Sequence, residues 1–240
     1  MSSQAEHILA QLAAVASERA KRAARPALRA RVDGLKDYQQ RRFARTYEDL
    51  LATPRYAAAA RFFLDELYGP ANFERRDAQF ARVVPTLVRL FPQPVIDTVA
   101  HLGELHALSE RLDTRMAAAL AETAPLDAAS YIRAWQATGE PEARAEQIEL
   151  MLVVGRSLDR FVRNALIRHS LRMMRAPAAA AGLGELQVFL ESGLAAFRAM
   201  NSATEFLATI EQRERSLAAA LFAAAPDDPA AWQAALGRLP

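Results

Sequence analysis

Apolar residues recur along most of the chain at spacings of three and four, and nowhere do they alternate with polar ones over the length of a strand. Residues 4–24 place Ile8, Leu9, Leu12 and Val15 on one helical face before Pro26 stops the pattern. From Pro26 to Ala52, the positions of Leu28, Val32, Leu35, Tyr38, Phe43, Tyr47 and Leu50 predict a second helix, weakened in its middle by Gly34. Thr53-Pro54 has the form of an N-cap followed by proline at the first helical position, and Tyr56, Ala60, Phe63 and Leu67 carry the next helix over 55–68. Tyr68-Gly69-Pro70 is a stop signal, and Asn72 is placed to cap a helix over 73–91 that Pro85 should kink or split.

The longest apolar stripe follows. Val95, Val99, Leu102, Leu105, Leu108, Leu112, Met116 and Leu120 predict one helix over 95–122, which should be the centre of the molecule. Asp127 then caps a short helix that Thr138-Gly139-Glu140-Pro141 ends. Residues 141–175 read as one long helix whose apolar side changes along its length, from Leu150, Val154, Phe161 and Ala165 to Ile167, Leu171 and Met174. A small-residue linker over 176–184 leads to helices at about 185–200 and 202–225, the latter with Ser202 and Glu205 spaced as a capping box. Asp228-Pro229 opens a last short helix with Trp232 and Leu236. The expected fold class is all-α, an irregular bundle of eight or nine helices in a single domain over 1–240. The hairpin 4–52 is expected either to lie on the outside or to mediate a homodimer.

Composition narrows the function classes. Hydrophobic residues at 52% supply a sizeable core, and charged residues at 24% match an ordinary globular surface. The net charge of only +2 gives no general electrostatic case for nucleic acid. Lysine occurs only at Lys21 and Lys36, so arginine carries nearly all the positive charge; with the abundant alanine, this suggests a GC-rich bacterial genome. Without cysteine, disulfides, thiolate catalysis and Cys-ligated metals are excluded. Met1 to His7 has no basic and apolar leader pattern, and the apolar runs near 116–121 and 217–225 fall short of the ~18 residues that a membrane span needs. A cytoplasmic location without a transmembrane segment is expected.

Candidate chemistry centres on the 95–122 helix. His101 shares a flank with Asp97 and Glu104, while His106 projects into the apolar stripe with Glu110 and Asp113 four and seven residues on. An imidazole buried beside a carboxylate suits a general base or a metal ligand. The preferred reading is a core histidine hydrogen-bonded to Glu110 or to a neighbouring helix, with Asp97, His101 and Glu104 a solvated face. Di-iron bundles use Glu-x-x-His on two helices, and this chain has none. An alternative has His169 facing His106 around a metal ion or haem; otherwise no cofactor is expected.

Arg156, Arg160 and Arg163 share a face, and Arg168, Arg172 and Arg175 follow, with Asp159 the one acid among them. Such a stripe suits a phosphate, a carboxylate ligand or an acidic partner, or it pairs with acids such as Glu142, Glu146, Glu211 and Glu214. The basic run Arg19–Arg45, interleaved with Tyr38 and Phe43, reads as a charged helix on a bundle surface, with RNA or anionic lipid as the sharper alternative. Tyr68 and Arg76, around the turn before Asp77, could line the mouth of a ligand pocket. Gly-rich phosphate loops and Gly-x-Ser-x-Gly are absent.

Arg55 through Pro70, and Arg76 through Pro85 running on to Leu105-His106-Ala107-Leu108-Ser109, resemble a family of uncharacterised proteobacterial helical proteins, over about residues 45–125. The resemblance implies a bacterial, helical, cytoplasmic protein and nothing about chemistry. Three function classes compete. One is a non-enzymatic helical protein that binds an unknown protein or small molecule. The second is a metal- or haem-dependent enzyme centred on His106. The third is an Arg-rich adaptor for nucleic acid or a membrane surface. The first is favoured, because only one cluster gathers the polar groups that catalysis needs.

Overall fold

The computed structural model describes residues 3–66, 73–121, 126–228 and 239–240, and among them the chain is helical with no strand. The helices in order are α1 (Ser3–Ala23), α2 (Pro26–Thr46), α3 (Glu48–Ala52), α4 (Pro54–Glu66), α5 (Glu74–Leu90), α6 (Gln93–Ala119), α7 (Ala128–Thr138), α8 (Pro141–Phe161), α9 (Ala165–Met173), α10 (Arg175–Ala180), α11 (Gly184–Ala199) and α12 (Thr204–Ala223). No described helix is long and apolar enough to cross a membrane.

The segmentation is finer than eight or nine helices, mainly because the long helix expected over 141–175 is broken. Asn164 ends it: its side-chain oxygen accepts the backbone N–H of Leu166 at 2.9 Å and of Ile167 at 3.4 Å, which starts α9 as a new helix. The change of apolar side along this stretch marks the break. The expected linker over 176–184 is instead the short helix α10 followed by a turn in which Gly182 takes φ +70°. Pro85 lies inside α5, which runs through it unbroken.

Caps follow the sequence in some places only. Asp127 and Ser130 close a reciprocal capping box on α7, and Gly139 at φ +66° ends that helix. Thr53 faces backwards: its hydroxyl donates to the Asp49 carbonyl at 2.7 Å rather than capping α4. Ser202 and Glu205 form no capping box. Glu205 turns outward to Arg55 at 2.9 Å and to the Tyr56 hydroxyl at 2.6 Å. Asn72 and the final helix with Trp232 and Leu236 lie outside the described residues.

α6 is the central element, packed against α1, α2, α5, α7 and α8. The largest apolar cluster joins Phe43 of α2, Phe62 and Phe63 of α4, Phe197 of α11 and Phe206 and Ile210 of α12. The Phe63 ring meets Phe206 edge-on with centroids 5.7 Å apart. α11 approaches α4 so closely that a Cβ on Gly193 would lie 2.9 Å from the Phe62 ring tip. A second cluster gathers Leu28, Val32, Leu35 and Tyr38 of α2 around Met116, Tyr131, Ile132 and Leu221, with Tyr38 stacked on Tyr131 at 4.7 Å. A third joins Ile8 and Leu12 of α1 to Val84 and Ile96. The N-terminal hairpin therefore contributes fully buried side chains (Ile8, Leu35, Tyr38) to the core rather than lying on the outside; burial of each large apolar side chain stabilises the fold by roughly 1.5–3 kcal/mol.

Candidate functional site

Two clusters of charge stand out. The first is a buried ionic seam where α6 meets α1, α2 and α5. On α1 the stripe Ile8, Leu12, Val15 continues in phase to Arg19 and Arg22, so the helix turns two cations inward at the end of its apolar face. On α2 the phase of Leu28, Val32 and Leu35 continues to Gln39 and Arg42. α6 meets them with Glu110 and Asp113, both buried.

Glu110 accepts from the Arg22 guanidinium and from Lys36 Nζ at 2.8 Å, with Arg19 at 3.9 Å. Burial pushes its carboxyl up, but Lys36 and Arg22, with His106, outweigh that and hold it at about 2. Asp113 accepts from an amide instead, that of Gln39 at 3.2 Å. Burial, reinforced by Glu110, raises its pKa against the pull of Lys36, Arg144 and that hydrogen bond. Asp77 on α5 accepts from Arg19 at 2.7 Å and lies 2.9 Å from His106 Nε2; burial opposes its ionisation, yet His106 and Arg19 keep its pKa below the usual carboxylate value. Further along, Glu214 of α12 accepts from Arg42 at 2.5 Å and from the Tyr47 hydroxyl at 2.8 Å. Arg144 of α8 lies over Trp135 at 4.0 Å.

His106 thus pairs with α5 and α1, not with Glu110 or Asp113 on its own helix. The flank carrying Asp97, His101 and Glu104 is turned toward α1 and stays partly open to solvent: Gln4 donates to Asp97 at 3.1 Å, His7 meets Glu104 at 2.6 Å, and His101 is half-buried. His169 is exposed on α9, which packs on α10 and α11, so it does not face His106. Among the described residues no group of three or more His, Asp or Glu is arranged to hold a metal ion. Arg76 is wedged between the Phe73 and Phe189 rings at 3.9 and 4.2 Å and paired with Glu66 at 3.2 Å. Tyr68 lies outside the described residues.

The second cluster is a surface cleft of about 440 Å³ between α9–α10 and α11. Arg168, Arg172 and Arg175 line it from α9 and α10, Glu191 and Arg198 from α11, and Leu171, Leu194, Ala195 and Ala199 supply its apolar lining. Arg175 is held by Glu191 at 2.5 Å, and Arg168 donates to the Val162 carbonyl. Arg172 and Arg198 are exposed and have no hydrogen-bond or ion-pair partner among the described residues. Arg156, Arg160 and Arg163, the stripe singled out in the sequence, lie on the preceding stretch and are more fully engaged. Arg156 pairs with Glu149 at 3.0 Å and Glu211 at 3.6 Å, Arg163 with Asp159 at 2.7 Å, and Arg160 donates to Ser157.

Sequence reasoning missed Arg198 and the cations of the seam. Arg198 stands alone on α11, and only the packing of α11 on α9 gives it company. Arg19, Arg22 and Gln39 did leave a signal, since each sits in phase with an apolar stripe.

The fold and its two charge clusters define an all-α bundle with a buried ionic seam and a basic surface cleft. The chain belongs to the family described as a domain of unknown function, DUF8198, whose model matches residues 18–228. No curated protein and no solved structure matches it.

Proposed function

We propose that this is a non-enzymatic interaction protein that engages an anionic partner through the surface of α9, α10 and α11. The observation that carries the reading is the pair Arg172 and Arg198, two exposed guanidiniums with no hydrogen-bond or ion-pair partner among the described residues, in a cleft whose one acid, Glu191, is held by Arg175. Guanidinium forks bind carboxylates and phosphates in a bidentate fashion, and an anion between them relieves their mutual repulsion. The seam supports this division of labour. Its carboxylates Glu110 and Asp77 are each held by cations of neighbouring helices, an arrangement that ties the bundle together. His106 Nε2 sits between Asp77 and Arg19 in this seam, and His169 lies on α9 away from it, which supports a structural imidazole over a metal or haem held between these two histidines. The arginine-rich composition and the family resemblance support a bacterial cytoplasm as the setting.

Fluorescence anisotropy with labelled poly-glutamate as the probe tests the reading. Wild-type protein should bind with an affinity that falls with salt, and the double variant Arg172→Glu, Arg198→Glu should bind about tenfold more weakly or worse. Equal affinity of the two proteins, or no binding by either, sinks the proposal.

A further inference from the structure

Resting on that reading, we infer that the anionic partner is a lipid bilayer surface, on which α9 and its neighbours lie with their exposed apolar side chains inserted at the headgroup boundary. Five of the large hydrophobic side chains that stand exposed cluster in this stretch: Leu166 (72%), Met173 (66%), Met174 (45%), Val188 (63%) and Leu190 (38%). Among the described residues the others are Leu90 and Phe91, at the end of α5. Scattered exposed leucines are ordinary, whereas several together beside an arginine-rich surface mark a contact surface.

The pattern around α9 separates two faces. Leu166 and Met173 are seven residues apart and share one side of the helix, with Met174 beside them. Arg168, Arg172 and Arg175 occupy the side that lines the cleft. From Arg160 to Gly184 there are five arginines and no Asp or Glu. An apolar face flanked by arginines whose stems can lie along it is the arrangement that seats a helix in a bilayer interface, with the guanidiniums reaching the phosphates.

The shape of the surface distinguishes a bilayer from a protein helix as occupant. A partner helix docks its apolar face into a concave apolar groove. Here the cleft is walled largely by arginines, while Leu166, Met173 and Met174 stand exposed outside its lining, beside the exposed Arg172. α9 has no buried residue and packs on α10 and α11, so it can lie on a flat surface without unpacking the core.

Co-sedimentation of the full chain with vesicles tests this. Protein should partition onto equimolar phosphatidylglycerol and phosphatidylcholine vesicles, leave them at high salt, and stay in solution with phosphatidylcholine alone. The double variant Leu166→Asp, Met173→Asp changes only exposed positions, and its circular dichroism should match wild type. It should partition about tenfold less, while keeping wild-type affinity for poly-glutamate. If wild type binds poly-glutamate but not the anionic vesicles, the lipid inference fails and an acidic protein partner takes its place. If it binds neither, the anionic-partner reading fails as well. Unchanged vesicle binding by the Leu166/Met173 variant also overturns the inference.

Discussion

Replacing Glu110 by Gln removes the one anion that Arg22 and Lys36 share in the seam while keeping the side chain's shape. Two arguments give the cost. Removing one partner of a buried ion pair destabilises a protein by roughly 3–5 kcal/mol, because the other charge stays buried without compensation. Independently, the Glu110 carboxyl ionises at about 2 in the folded protein against 4.5 when exposed. Through linkage that gap corresponds to about 3 kcal/mol of stability, with little screening because Glu110 is only 3% exposed. Since the folded value is depressed, this stability is fully present above 4.5 and is lost as pH falls toward about 2. Urea unfolding followed by circular dichroism should therefore show Glu110→Gln less stable than wild type by about 3 kcal/mol near pH 7, and by about 1 kcal/mol near pH 3. A gap equal at the two pH values, or one well under 1 kcal/mol near neutrality, would refute the claim that the seam is held by ionised Glu110.

Further outcomes test the packing. Gly34→Ala should stabilise by about 0.5–1 kcal/mol, since an added Cβ there meets nothing within 4 Å and the helix gains propensity. Gly193→Ala should instead destabilise by about 1–3 kcal/mol, because Phe62 must yield; thermal unfolding of the pair decides between them. His106→Ala should lower stability by roughly 1–3 kcal/mol, read by urea unfolding, by taking one partner from Asp77. Asp127→Ala should cost about 1 kcal/mol through loss of the α7 cap, with faster amide exchange at Ser130 as its local signature.

How much of the fold and of its charge clusters is legible in the sequence depends on where the information resides. The course of α1, α2, α6 and α7 is readable because the period of their apolar residues and their caps are local properties: Asp127 with Ser130, Gly139, and Pro26 act over a few residues. The break at Asn164 is half-visible, as a change of apolar side, because one amide's capping bonds compete closely with continued helix. Thr53 and Glu205 mislead for a related reason. Each has the residue type of a cap, but Asp49 offers Thr53 a nearer carbonyl and Arg55 and Tyr56, roughly 150 residues away in sequence, offer Glu205 stronger partners.

By itself, the sequence determined an all-α chain with the helix after Pro94 at its centre and a run of arginines without acids after Asp159, since periodicity and composition are written residue by residue. Only the tertiary structure decided which charges are spent on holding helices together and which face outward. Glu110 and Asp113 look alike as neighbours on one helix. One is ionised by Lys36 and Arg22 and the other is pushed toward its neutral form, because the field at a buried carboxyl is set by groups that folding brings in from other helices. For the same reason Arg156 is paired while Arg198 has no ion-pair partner among the described residues: Glu211, one of the acids on Arg156, belongs to a segment that meets it only when the bundle closes.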